Sequence, residues 1–294
     1  MKITIGSRGS ALALKQTELV IEQLKTAYPE YDYEIKVIHT KGDKILDVAL
    51  DKMNDKGIFV KEIEKELLEG TIDLAVHSLK DMPSSQPDGL TYTKTLAASD
   101  HRDCLVLKTA NSLDDLAHGA VIATGSKRRR YQLKQLRPDL QFVDIRGNIN
   151  TRLKKLQEQE IDGLVLASAG LLRLQLEDKI SQYLDEAMMV PACGQGILAI
   201  QVKENSPLIK MINAISDEAA NQRLKWERLF LSEVDGSCHI PVGGYANVEG
   251  KDLHFLALLG NEEGTVLLKE EIVCKEAEAE SKIRALAKQM KEKI

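Results

Sequence analysis

Residues 121–167 read VIATGSKRRRYQLKQLRPDLQFVDIRGNINTRLKKLQEQEIDGLVLA, and their grammar decides the fold class. Residues 121–124 are a short β-type run, Ser126 is suited to cap a helix, and the spacing predicts that helix over 128–136. A second strand over 141–145 ends in Arg146-Gly147-Asn148, and a second helix runs to about Gln157. Ile161-Asp162 then opens a third strand over 164–167. The start of the chain repeats this order. A strand over 2–6 leads to Ser10 and an apolar-periodic stretch ending near Leu24, and a strand over 33–38 ends in His39-Thr40-Lys41-Gly42-Asp43. A helix over 60–68, Gly70 and a strand over 72–76 complete the first run. Alternating strands and helices predict mostly parallel sheets covered by helices, and two such runs predict two similar lobes with a cleft between them. Ligands of open α/β sheets sit outside the strand carboxyl ends. There the sequence puts Ser7-Arg8-Gly9-Ser10, Lys41-Gly42-Asp43, His77-Ser78-Leu79-Lys80-Asp81, Ser126-Lys127-Arg128-Arg129, Arg146-Gly147-Asn148 and Ser168-Ala169-Gly170.

The last third changes style. A helix over 218–231 precedes β-like runs over 242–247, 253–259 and 265–273, separated by Glu249-Gly250-Lys251-Asp252 and Gly260-Asn261-Glu262-Glu263-Gly264. Those separators are turn material, and a Lys/Glu/Ala-rich helix over 275–293 follows. The pattern predicts a small antiparallel sheet with helices on one side.

Composition narrows the class. With 294 residues, 43% hydrophobic and 29% charged, the chain reads as globular rather than disordered. No apolar run approaches the ~20 residues of a membrane helix, and the N-terminus breaks into glycine and charge too soon for a secretory segment. The four cysteines, at 104, 193, 238 and 274, form no C-x-x-C pair, which argues against a disulfide scaffold or a zinc site. The expectation is a cytoplasmic protein with reduced thiols and no metal. The net charge of −5 conceals an uneven distribution. Residues 124–152 hold eight basic and two acidic side chains, in a chain with 40 basic and 45 acidic residues overall. A positive island in an acidic body points to a local anionic ligand, or else to a solvated basic helix face. Nucleic acid is disfavoured, because the island has no interleaved aromatics.

Three places could carry chemistry. Cys238 lies in Gly236-Ser237-Cys238-His239-Ile240-Pro241, where a thiol is a nucleophile, an attachment point or simply idle. Asp81, after Lys80 at a strand end, is a general acid/base, a holder of positive charge, or half of a surface ion pair. Ser10 and Ser126 either help bind anions at helix starts or only cap them. His77 fits a core as well as a site.

Taken in order, longer motifs carry a resemblance. Ile5-Gly6-Ser7-Arg8-Gly9-Ser10, Lys56-Gly57-Ile58-Phe59-Val60-Lys61-Glu62, Ala75-Val76-His77-Ser78-Leu79-Lys80-Asp81-Met82-Pro83, Ile145-Arg146-Gly147-Asn148, Gly194-Gln195-Gly196, Glu227-Arg228-Leu229-Phe230 and Val234-Asp235-Gly236-Ser237-Cys238-His239-Ile240-Pro241-Val242-Gly243 resemble those of the hydroxymethylbilane synthases, also called porphobilinogen deaminases. The match spans essentially the whole chain. Lys41 departs from it, standing where an Arg is common, and Lys127 and Arg130 add charge beside the usual Ser-x-Arg-Arg.

The resemblance implies an α/β fold of two doubly wound lobes, like type 2 periplasmic binding proteins, with a C-terminal α+β domain carrying a three-stranded antiparallel sheet. The expected domains are 1–96 with 197–215, 97–196, and 216–294. It implies head-to-tail condensation of four porphobilinogens into a linear tetrapyrrole, with loss of ammonia, in porphyrin and haem biosynthesis. The implied cofactor is a dipyrromethane held as a thioether on Cys238, and the implied catalytic acid is Asp81. Arg8, Arg128, Arg129, Arg146, Arg152 and Arg173 correspond to family residues that bind the acetate and propionate side chains, assisted by Ser10, Lys52, Lys80 and Ser126. Arg128 and Arg129 are expected to anchor the cofactor. The implied partners are porphobilinogen and the next enzyme of the tetrapyrrole pathway, with no nucleic acid, no membrane, and a monomer in the cytoplasm. Two rival readings share some features. A non-catalytic two-lobed binding protein would have no use for Cys238 or Asp81, and a cysteine acyl transferase would need an acyl pocket or oxyanion motif that is not recognisable.

Overall fold

The computed structural model describes residues 2–44, 60–234 and 240–294. In chain order the first elements are β1 (Lys2–Arg8), α1 (Ala11–Ala27), β2 (Asp32–Ile38), α2 (Lys41–Lys44), α3 (Lys61–Glu69), β3 (Leu74–Ser78) and β4 (Leu90–Tyr92). Next come β5 (Asp103–Leu107), β6 (Val121–Ala123), α4 (Lys127–Leu136), β7 (Gln141–Val143), α5 (Ile149–Glu158), β8 (Gly163–Ala167), α6 (Ser168–Arg173) and β9 (Gln182–Leu184). The last are β10 (Leu198–Lys203), α7 (Leu208–Ala214), α8 (Glu218–Glu233), β11 (Val242–Glu249), β12 (Asp252–Gly260), β13 (Leu267–Lys275) and α9 (Ala279–Lys291).

The chain divides into two compact units, with crossings at Ser99/Asp100, Gly196/Ile197 and Asn221/Gln222. The first unit holds a five-stranded sheet ordered β2-β1-β3-β10-β4, and the second holds one ordered β7-β6-β8-β5-β9. Both sheets are mixed, which corrects the expectation of mostly parallel ones. β1 runs parallel to β2 and β3, and β6 runs parallel to β7 and β8. β10 then lies antiparallel to β3 and β4, and β5 lies antiparallel to β8 and β9. The reason lies in chain order: the antiparallel strand of the first sheet follows the second lobe in sequence, and that of the second sheet opens its own unit, ahead of the parallel strands. Local periodicity carries no information about pairing over such separations.

The repeat read from the sequence has a structural basis. Asp73 accepts the Thr4 N–H at 2.7 Å and returns its own N–H to Thr4 O, and Asp162 does the same with Val121, also at 2.7 Å. Each Ile-Asp pair thus fixes the register of the strand it precedes against its parallel neighbour, so β3 begins at Leu74, two residues later than predicted. Ser10 and Ser126 each accept the N–H three residues on, at 3.3 and 3.4 Å. These are ordinary N-caps.

Each five-stranded sheet is covered on both faces. Ile3, Ile5, Leu74, Val76, Ile200 and Val202 pack against α1 and α7, while Ala75 and Leu90 meet Ile63 and Leu67 of α3. In the second sheet Leu105, Ile122 and Val165 pack with Leu133 of α4, and Cys104, Val106, Ala123 and Leu166 with Leu156 and Leu171. Strands buried on both faces must be apolar at successive positions, as Leu74-Ala75-Val76 and Leu164-Val165-Leu166 are. The C-terminal sheet, β11-β12-β13, is antiparallel. It packs Phe255 and Leu253 against Trp226 and Phe230 of α8 and Ile283 and Met290 of α9, and it belongs to the second unit. No helix among the described residues is long and apolar enough to cross a membrane.

Candidate active site

In the first unit the carboxyl ends of β1 and β3 lie side by side, because Ile5 pairs with Leu74 and Gly6 with Ala75 in parallel. Half-buried Arg8 ends β1, and Ser10 follows at the start of α1. β3 ends at Ser78, and a single 3-10 turn, Leu79–Asp81, carries Lys80 and Asp81 away from the sheet. That turn is anchored at its root. Leu79 is buried and donates its N–H to Ile197 O at 3.0 Å, and Gln16 of α1 donates to Ser78 Oγ at 2.9 Å. Asp81 itself is exposed. A rigid root under an exposed carboxylate lets it meet an incoming molecule without reorganising the sheet. His77, on β3, is buried, and burial together with the Arg8 charge pushes its pKa down to about 4. It stands in the core as a neutral imidazole near pH 7.

The second unit is built differently. β5 runs against β8 with Asp103 opposite Ala167, so the amino end of β5 shares an edge with the carboxyl ends of β6 and β8. Asp103 is 0% exposed, Arg128 5% and Arg129 8%. Arg128 Nη1 donates to Asp103 Oδ2 at 2.7 Å and to Val190 O at 2.6 Å. Arg129 Nε donates to Asp103 Oδ1 at 2.9 Å, and its Nη1 donates to Val165 O at 3.0 Å. Gln195 Nε2 adds a bond to Asp103 Oδ1 at 3.1 Å and one to His101 O at 2.7 Å. Burial lowers the Arg128 pKa and the adjacent Asp103 carboxylate opposes that shift.

The second unit also holds three of the other predicted arginines. Arg152 Nε donates to Gly147 O at 2.8 Å, and Lys155 Nζ to Arg146 O at 3.1 Å. These bonds brace the Arg146-Gly147-Asn148 turn, where Gly147 has φ 112° and Asn148 caps α5. Arg173 Nη2 donates to Gly196 O at 2.6 Å, and burial pushes its pKa down to about 10. Arg146, Arg152 and Arg173 are all half-buried.

A second buried carboxylate ties α8 to this edge. Glu227 is 0% exposed and accepts from Gly194 N at 2.6 Å, Ala246 N at 3.2 Å and Arg223 Nε at 2.9 Å. Arg223 Nη2 donates to Gln195 O at 2.9 Å. The turn is possible because Gly194 and Gly196 take φ of 77° and 88°, a region side chains avoid. Cys104, Cys193 and Cys274 are buried free thiols whose pKa values burial raises, that of Cys104 to about 11. None resembles an activated nucleophile.

The structure therefore groups Arg8, Ser10, Lys80 and Asp81 in one unit, and Ser126, Arg128, Arg129, Arg146, Arg152 and Arg173 in the other. Lys52, Cys238 and residues 56–59 lie outside the described residues. Sequence reasoning missed Asp103, Arg223 and the side-chain role of Gln195. The available signal for Asp103 was its place directly before the apolar run Cys104-Leu105-Val106-Leu107.

Two family models match the chain. The model described as "Porphobilinogen deaminase, dipyromethane cofactor binding domain" covers residues 3–211, and "Porphobilinogen deaminase, C-terminal domain" covers residues 221–292. A porphobilinogen deaminase of Clostridioides difficile (strain 630) is 50% identical over 266 residues, covering 90% of this chain and 88% of that protein. One from Clostridium novyi (strain NT) is 45% identical over 285 residues, covering 95% of each. One from Bacillus mycoides (strain KBAB4) is 48% identical, covering 92% of this chain and 89% of the relative.

Proposed function

The chain belongs to the porphobilinogen deaminase family, and from that premise we propose how its own residues divide the work. The reaction is the hydroxymethylbilane synthase reaction: four porphobilinogens are condensed head to tail with release of ammonia, primed by a dipyrromethane cofactor. When bound, the dipyrromethane supplies the nucleophilic pyrrole carbon that starts the chain. Cys238 holds it through a thioether, a bond that stays outside the leaving-group chemistry. The cysteines at 104, 193 and 274 are poor candidates for that tether, being buried with raised pKa values.

The buried Arg128–Asp103–Arg129 cluster is the observation that carries this reading. It puts two guanidinium groups beside one carboxylate, leaving an excess positive charge that suits a small polyanion. Pyrroles bearing acetate and propionate chains are such polyanions, and guanidinium forks match carboxylates in two-point geometry. Arg128 and Arg129 hold the first two rings, aided by Ser126. Arg8, Arg146, Arg152 and Arg173, with Ser10, Lys52 and Lys80, bind incoming and later rings. Each charge-assisted bond contributes about 1.5–3 kcal/mol.

Asp81 acts on the reacting atoms. Its carboxylate accepts hydrogen bonds from pyrrole N–H groups and stabilises the positive charge that develops on the incoming ring as the C–N bond breaks and ammonia leaves. After the new C–C bond forms, the same oxygen takes the proton from the attacked pyrrole carbon. Exposure of Asp81 on an anchored turn supports this role. A cytoplasmic monomer free of nucleic acid fits a chain of net charge −5 whose local excess of positive charge is a single island over residues 124–152.

Mass spectrometry of the intact chain tests the reading. The expected result is an adduct of two pyrrole units that maps to Cys238 and is lost, with nearly all turnover, in Cys238→Ser. Full turnover without an adduct would overturn the tether.

A further inference from the structure

The cluster at the edge of the second sheet raises a problem of charge. Two adjacent arginines, each more than nine-tenths buried, lie side by side inside the protein, where like charges repel more strongly than in water. The polyanion assigned to them is added to the chain after synthesis, so the chain must first fold without it. We propose that Asp103 is a positioning residue for the cofactor-holding pair: it is the counter-ion that keeps both guanidiniums folded in and correctly turned before the cofactor is present. The inference rests on the reading that Arg128 and Arg129 hold the first two rings.

The geometry supports a shared counter-ion. Each carboxylate oxygen serves a different arginine, Oδ2 at 2.7 Å from Arg128 and Oδ1 at 2.8–2.9 Å from Arg129. Gln195 donates to Oδ1 as well, which fixes the rotation of the carboxylate. A backbone carbonyl holds a further N–H of each guanidinium, Val190 O for Arg128 and Val165 O for Arg129. The arrangement is anchored in the sheet through the pairing of Asp103 with Ala167 and Leu184. One carboxylate against two cations leaves the cluster positive, so the pair stays attractive to an anionic ligand while tolerating burial without it.

A linkage argument separates this role from a merely structural one. A ligand that binds only the native chain stabilises it. If cofactor carboxylates can take over part of the charge compensation, loss of Asp103 harms the apo-chain more than the loaded one. The experiment compares apo-chain from cells unable to make porphobilinogen with the same chain after incubation with porphobilinogen, loading being read by mass. For Asp103→Asn the apo Tm should fall by roughly 10 °C and the loaded Tm by less than half as much, so the gap widens. Equal falls, or no fall in either form, would overturn the proposal. Should Asp103→Asn not accumulate as apo-protein, Asp103→Glu carries the comparison, since it keeps the charge but displaces it by a methylene. A widened gap then supports the proposal and an unchanged one overturns it. Arg128→Leu and Arg129→Leu keep the two ideas apart. Normal loading of both would sink the underlying reading, whereas failed loading beside equal Asp103→Asn falls would sink only the counter-ion role.

Discussion

Asp81, at the edge of the first sheet, stands exposed on a three-residue turn, whereas Arg128 and Arg129, at the corresponding edge of the second, are buried against Asp103. The two sheets share strand order and strand sense, so architecture alone does not make this difference. What differs is how each edge meets the cost of charge. The first leaves its carboxylate in water, where it can change partner at each cycle. The second takes its guanidiniums out of water and compensates them internally, which suits a ligand that arrives once and remains. Under the proposed roles, a repeated frame carries one edge for turnover and one for retention.

The largest expected effect tests the retaining edge. Arg128→Leu or Arg129→Leu should purify without the two-ring adduct and with no measurable turnover, as intact mass and ammonia release would record. Either variant retaining its adduct would break the comparison at its stronger end. Asp81→Asn tests the other edge. It should keep the adduct and its Tm while kcat falls by about 10²–10⁴, the scale of an acid/base group. A rise in KM with kcat intact would make Asp81 a binding residue instead. Smaller and graded effects are expected when Arg8, Arg146, Arg152 or Arg173 becomes Leu. Such variants should be loaded but stalled, giving a mass ladder whose dominant rung depends on the arginine removed. Uniform loss without a stalled rung would contradict a division between retaining and receiving arginines.

His77 gives a milder prediction, about stability rather than rate. Its folded pKa of about 4 lies below the 6.5 of an unperturbed imidazole. The unfolded chain therefore binds the extra proton between those values. Its contribution is complete above about pH 6.5 and is lost as pH falls towards 4, up to roughly 3 kcal/mol. His77→Gln should flatten that part of the Tm–pH curve, and an unchanged slope would refute the assignment. The smallest effects belong to Cys104→Ser, Cys193→Ala and Cys274→Ser, which should each keep the adduct. Its loss in any of them would move the attachment point.

Much of this was legible because it is local. A Ser three residues before an N–H, or an Asp beside a strand start, does its work within one turn or one strand pair, so Ser10, Ser126, Asp73 and Asp162 could be aligned from the sequence. The basic island around Arg128 was visible as charge, but its burial was not, since nothing nearby in sequence supplies the counter-ion. Asp103 is 25 residues from Arg128. It lies at the strand's amino end, so a search of carboxyl ends in parallel sheets passes over it. The same blindness to distant pairing hid β5 and β10. Lys52 and Cys238 were named from motifs alone.

The late place of β10 in the chain also bears on how the protein is made. Among the described residues β4 pairs only with β10, and β3 needs β10 along its other edge. Residues 198–203 follow the whole second lobe, so a ribosome emits α1, α2, α3 and four strands of the first lobe well before the strand that joins them. Until then β3 presents an unpaired edge, the kind of surface that invites association between nascent chains. The pairing that closes it spans about 120 residues of sequence, and such non-local contacts form slowly. A fragment ending at Ser99 would keep that open edge permanently, so the first lobe depends on the chain that follows it.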